Sequence, residues 1–125
     1  MKTSVFSEKA PKPVGPYSQA VKAGKYLFVS GQLAIDPKEG KMVTQDITLQ
    51  TMQVMNNIKA ILEAACYGLE NIVQSTVYLS TMALFKEFNV EYAKFFSVEF
   101  PARATVAAEL ATGALVEIAV VAYKD

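Results

Sequence analysis

At 125 residues, 52% hydrophobic and 19% charged, the chain is too apolar for a disordered segment and has the size of a single domain spanning residues 1–125. Twelve basic and twelve acidic residues cancel. Phosphate backbones and anionic membranes therefore have no general electrostatic hold on it, which argues against nucleic acid or membrane as partners. Histidine is absent and Cys66 is the one cysteine, which removes histidine-based triads, an intramolecular disulfide and most transition-metal sites, so no bound metal is expected.

Residues 1–8 lack the apolar core of a signal peptide, and no apolar run approaches bilayer length, so a cytoplasmic protein is expected. The segment up to Pro16 carries Pro11, Pro13 and Gly15 and should run extended over the surface. Ala20–Ala23 and Tyr26–Ser30 read as a hairpin turning at Gly24-Lys25. Gly31 then allows a bulge or a close backbone approach, and the strand resumes over Gln32–Ile35 before the turn Asp36-Pro37-Lys38-Glu39-Gly40.

From Thr48 to Ala65, Met52, Met55, Ile58, Ile61, Leu62 and Ala65 recur at helical spacing, with Asp46 or Thr48 as N-cap and Gly68 closing the helix region. Ile72–Leu79 reads as a strand with Val73, Val77 and Leu79 on one face. A second helix over Ala83–Phe96 presents an aromatic stripe, whose ordinary use is core packing rather than base stacking. After Pro101, strands are expected over Arg103–Leu110 and Leu115–Tyr123, joined by a turn at Ala111-Thr112-Gly113. This order implies an α+β layer, with helices on one face of a mixed sheet.

Two residues stand out chemically. Eleven of the twelve basic residues are lysines, so Arg103 is the only guanidinium, a planar fork that lysine cannot supply. Chance under a lysine-rich composition explains it equally well. Glu117 interrupts the apolar run Leu115–Ala122, typical of a strand covered on both faces, where an unpaired carboxylate would be costly. The alternative is an edge strand with Glu117 facing water. Cys66, Tyr17 and Asn89 each have an ordinary reading as packing or exposed residues, and Ser30-Gly31-Gln32 is too short for a phosphate loop.

Five segments together resemble the RidA (YjgF) family: Gly15-Pro16-Tyr17-Ser18-Gln19-Ala20, Val29-Ser30-Gly31-Gln32, the run Asn57–Ala65, Asn89-Val90-Glu91-Tyr92 with Phe95-Phe96, and Pro101-Ala102-Arg103 leading to Val116-Glu117-Ile118. The likeness covers nearly the whole chain in order. It implies a chorismate-mutase-like α+β subunit, a mixed β-sheet with two helices packed on one face, assembled as a homotrimer with sites in the clefts between subunits. It also implies cofactor-free hydrolysis of 2-imino acids, such as 2-iminobutanoate and 2-iminopropanoate, to 2-oxo acids and ammonia. These imines, or their enamine tautomers, are released by pyridoxal-phosphate dehydratases.

Carried over by the resemblance, Arg103 matches the arginine that clamps the substrate carboxylate, through a bidentate fork. Glu117 matches the carboxylate that holds and activates water. Tyr17 and Ser30 match hydroxyls lining the site, as candidate proton donors to the leaving nitrogen. Gly31 and Thr105 match positions beside the bound acid, and Asn89 and Phe85 match a polar contact and an apolar wall. The chain departs from the family in having Cys66 where glycine is common and Leu110-Ala111 where Leu-Pro is usual. The stretch between Arg103 and Glu117 is also one residue shorter, and Thr105 stands where some relatives carry cysteine. A non-catalytic binder or sensor of small 2-oxo acids would carry the same residues. RNA cleavage or translation inhibition, reported for some relatives, fits the neutral charge least.

Overall fold

The computed structural model describes residues 1–125. Eight of its ten regular elements are strands: β1 (Lys2–Val5), β2 (Ala20–Ala23), β3 (Tyr26–Gln32), β4 (Ile35–Asp36), β5 (Lys41–Met42), β6 (Ile72–Leu79), β7 (Ala102–Ala107) and β8 (Val116–Tyr123). The two helices are α1 (Ile47–Ala64), between β5 and β6, and α2 (Phe85–Ala93), between β6 and β7. The main sheet has the order β1-β2-β3-β8-β6-β7, while β4 and β5 form a separate two-stranded ribbon. Only β6 and β7 run parallel, which requires the crossover that α2 supplies.

Helix α1 begins where Asp46 caps it, its carboxylate accepting from the Leu49 backbone N–H at 2.9 Å. Its apolar positions point inward: Val54, Met55, Ile58, Ile61 and Leu62 are fully buried against Leu27, Val77, Leu79, Val116 and Ile118 of the sheet and Phe88 of α2. Each such side chain contributes about 1.5–3 kcal/mol relative to exposure. No helix is long and apolar enough to cross a membrane.

Four local expectations need correction. Residues 2–5 do not simply run over the surface, because they pair antiparallel with β2 as an edge strand. Helix α1 closes two residues before Gly68: Cys66 takes the left-handed conformation at φ 64°, its N–H donates to Glu63 O, and the Tyr67 N–H donates to Leu62 O at 2.9 Å. This is a Schellman turn with cysteine where glycine is favoured. Val73 sits in an irregularity of the β6–β8 register between Ile72 and Gln74, so it is exposed and the core face is carried by Ile72, Ser75, Val77 and Leu79. Finally, β8 is a central strand covered on one face only: Val116, Ile118, Val120 and Ala122 are buried while the residues between them are half-buried.

Candidate functional site

The alternation along β8 fixes the side of the sheet to which Glu117 belongs. Its neighbours Val116 and Ile118 face the helices, so Glu117 faces the other way, opposite Tyr78 of β6. Strand β3 lies alongside, and its register shifts between Val29 and Gln32. That bulge brings the Gly31 backbone against the carboxylate: a Cβ there would overlap Oε2 and lie 3.0 Å from Cδ of Glu117. Gly31 is therefore a close-approach glycine.

A cavity of about 390 Å³ opens beside this pair, with Tyr17, Ser30, Gly31 and Glu117 in its wall together with Lys12 and Ile35. Buried amides fix that wall. Gln19 accepts from Ser7 N at 2.6 Å and donates to Ser7 O at 3.0 Å and Pro11 O at 2.9 Å, which straps the N-terminal segment over β2. Asn57 donates from α1 to Leu33 O at 3.1 Å and Ile35 O at 3.0 Å, holding the chain where it leaves β3. Gln50 accepts from Leu115 N at 3.0 Å, two residues before Glu117. All three amides are almost fully buried, where an unpaired polar group would cost about 1–3 kcal/mol.

The two hydroxyls differ in what they can do. Ser30 Oγ donates to Ser18 O at 2.6 Å, so its proton is committed and its lone pairs face outward as acceptors. Tyr17 accepts from Val14 N at 3.3 Å, which leaves its phenolic proton free to donate. Of the two expected proton donors, only Tyr17 has one to give in this arrangement.

Arg103 lies elsewhere. It stands in register with Ser75 across the parallel β6–β7 pair, and Ser75 is fully buried beneath α2. The arginine thus projects to the helix side, and its guanidinium carbon sits 5.0 Å from the Tyr92 ring centroid, 5.5 Å from Phe88 and 5.6 Å from Phe85. A second cavity, of about 270 Å³, is lined by Arg103 with Asn89, Tyr92, Phe100 and Pro101. The fork has no carboxylate partner, since the one ion pair of the chain joins Lys94 to Glu91. Two buried oxygens nearby, Asn89 Oδ1 and Thr105 Oγ1, also lack partners. Burial pushes the Tyr92 phenol above its ordinary 10.0, opposed by the Ser75 hydrogen bond and the Arg103 charge.

The eight residues expected at one site therefore form two groups. Glu117, Gly31, Ser30 and Tyr17 line one cavity; Phe85 and Asn89 lie by the Arg103 guanidinium, with Thr105 two residues further along β7. Glu117 and Arg103 belong to opposite faces of the sheet, and a single chain does not bring them together. Tyr92 and Gln19 belong to segments that the sequence singles out, but neither was expected at the site. The helical spacing of Phe85, Phe88 and Tyr92 marked one aromatic face, but nothing marked its contact with an arginine on a later strand. No group of Cys, Asp and Glu side chains is gathered in a way that could hold a metal ion.

The chain and its mixed sheet backed by two helices match a known family over nearly the whole length. The family model described as endoribonuclease L-PSP matches residues 7–124. A RutC family protein of Pyrococcus horikoshii is 52% identical, covering 100% of both chains. Reactive Intermediate Deaminase A of Arabidopsis thaliana, a chloroplastic protein, is 42% identical over 97% of this chain and 65% of its own. Among solved structures, the Escherichia coli YjgF gene product superimposes with a TM-score of 0.94 at 34% identity, covering 98% and 99% of the two chains. Escherichia coli TdcF with bound serine gives 0.94 at 29% identity and the same coverage. The chain belongs to the RidA/YjgF family, whose members include a reactive intermediate deaminase.

Proposed function

We propose that the protein is a cofactor-free deaminase that hydrolyses small 2-imino acids to 2-oxo acids and ammonia, at sites completed between the subunits of a homotrimer. The observation that carries this reading is the division of the site. An unpaired guanidinium with two unpartnered oxygens occupies one face, and a carboxylate cavity with a free phenolic proton occupies the other. Each half is incomplete alone, and a second copy placed against the open sheet face would join them. Tyr26, Phe28 and Val106 leave that face apolar and about half-exposed, which gives such an association a driving force.

In this reading Arg103 of one subunit holds the substrate carboxylate bidentately, with Asn89 and Thr105 completing the cradle and Phe85 as apolar wall. Glu117 of the neighbour takes a proton from a water beside the Gly31 backbone, and the water oxygen bonds to the imine carbon. The C=N electron pair moves onto the nitrogen, which takes a proton from a nearby donor to give the carbinolamine. Its C–N bond then breaks as Glu117 returns its proton to the nitrogen and the carbinol O–H gives its proton back to that donor, releasing ammonia and leaving the 2-oxo acid. Tyr17 is placed as that donor, while Ser30 accepts from the water or from the substrate N–H. Neutral net charge, the absence of histidine and a single arginine favour this chemistry over RNA cleavage.

The test combines activity with subunit mixing. Added to a threonine or serine dehydratase, the wild type accelerates 2-oxo acid release, and Arg103→Ala and Glu117→Gln each lose that effect. Unfolded together and refolded as mixed trimers, the two inactive variants regain activity, because about a quarter of the sites then combine an intact arginine with an intact carboxylate. Mixtures as inactive as their parents would place both residues in one subunit's site and overturn the division. The bound serine in TdcF favours one alternative, a binder of small carboxylates without turnover. Saturable 2-oxobutanoate binding with no acceleration by the wild type would decide for it.

A further inference from the structure

The arginine half contains a residue with no role so far. Tyr92 is almost fully buried, lies closest of the three rings to the Arg103 guanidinium at 5.0 Å, and donates its hydroxyl to Ser75 Oγ at 2.9 Å. Ser75 is in turn the register partner of Arg103 on the adjacent strand. The ring is thus tied to the same rung of the sheet that carries the arginine. It also touches Phe88 at 5.3 Å and Phe96 at 4.9 Å, and Phe96 meets Phe100 on the far wall of the arginine cavity. A flexible arginine with no ion pair would ordinarily sample many rotamers, and holding one of them costs binding free energy.

We propose that Tyr92 is a positioning residue, whose ring, locked by Ser75, is the platform that holds the Arg103 fork edge-out toward Asn89 before any carboxylate arrives. This rests on the reading of Arg103 as the carboxylate clamp. The negative face of the ring attracts the guanidinium plane and leaves the in-plane N–H donors free, which is the geometry a bidentate anion needs. Phe88 and Phe85 extend the platform, but neither has a polar handle to fix its orientation. Simple burial of the arginine stem would use the same contacts, and the two accounts differ in one respect. Stem burial depends on ring shape and hydrophobicity, whereas platform strength depends on ring electron density.

Replacing Tyr92 by phenylalanine carrying zero, one, two or three ring fluorines varies electron density at nearly constant shape. 2-Oxobutanoate binding by titration calorimetry, and KM and kcat in the dehydratase-coupled assay, are read on the full-length protein. The expected result is a stepwise weakening of affinity and rise of KM, about 3- to 10-fold across the series, with kcat within about twofold. A flat series, with Arg103→Ala abolishing binding, overturns the platform and leaves the clamp standing. Unchanged affinity in Arg103→Ala itself removes the clamp and the platform together. The Tyr92→Phe protein is the baseline of the series, so loss of the Ser75 hydrogen bond is common to every member.

Discussion

The two halves of the candidate site are built on opposite principles. Around Glu117 the backbone is pinned by hydrogen bonds from Gln19, Asn57 and Gln50, and the bulge at Gly31 leaves no room for a side chain. Around Arg103 the side-chain scaffold is reduced to the Tyr92 hydroxyl on Ser75. An edge strand presents a stacked guanidinium, and the oxygens of Asn89 and Thr105 stand without partners. The group proposed to activate water thus stands in rigid surroundings. The group proposed to receive the substrate carboxylate has open valences. The difference matches the proposed roles of general base and anion receptor.

The largest effect is expected in the rigid half. Glu117→Gln keeps the shape of the side chain and removes the base, so kcat in the dehydratase-coupled assay should fall by about 10²- to 10⁴-fold with little change in KM. A variant retaining wild-type kcat would remove this half from the chemistry. In the receptor half, Arg103→Lys keeps the charge and removes the fork. With charge-assisted bonds worth about 1.5–3 kcal/mol, kcat/KM should fall about 10- to 100-fold, mostly through KM. Equal losses in kcat for both variants would erase the distinction between base and receptor.

Gly31→Ala probes rigidity directly. Its new methyl overlaps the Glu117 carboxylate, which must turn away to admit it. Stability measured by urea denaturation should drop by about 1–3 kcal/mol, and activity should drop with it. A stable, active Gly31→Ala protein would mean that the carboxylate is mobile and the contrast between the halves is false.

A smaller effect separates them by pH. In the receptor half the buried Tyr92 phenol is raised above 10.0, so the unfolded chain loses this proton at lower pH than the native state does. The native advantage is full below pH 10.0 and is lost as pH rises through the folded value, so stability should decline on the alkaline side. Thermal melts of Tyr92→Phe should show a shallower decline above that pH than the wild type.

The contrast between halves was hidden in the sequence although most of the fold was not. The spacing of Met55, Ile58 and Leu62 marked α1 to within a residue, because burial on one face writes directly into side-chain period. Richness in β formers marked β3, and a nearly continuous apolar run marked β8. Val73 was misplaced since a bulge changes parity without changing composition. Arg103 and Glu117 were both singled out as anomalies, yet they sit 14 positions apart with a turn between, and parity alone cannot cross a turn. Only the register, Arg103 with Ser75 and Glu117 with Tyr78, shows that they face apart. Apolar Phe28 looked like ordinary strand composition, and only its exposure beyond β8 makes it surface in want of cover.

Cys66 supplies a control that belongs to neither half. It occupies the left-handed position that ends α1, exposed and remote from both cavities that hold the candidate site residues. A side chain there meets a backbone penalty of about 1–2 kcal/mol that glycine avoids, partly offset by the greater freedom of glycine in the unfolded chain. Cys66→Gly should therefore stabilise by about 0.5–1 kcal/mol, raising the thermal midpoint by about 2–4 °C at matched protein concentration. Turnover and 2-oxobutanoate affinity should stay at wild-type values. Were activity to change with this substitution, loss of function in the Gly31 variant could no longer be assigned to its contact with Glu117, because global stability alone would then move the chemistry.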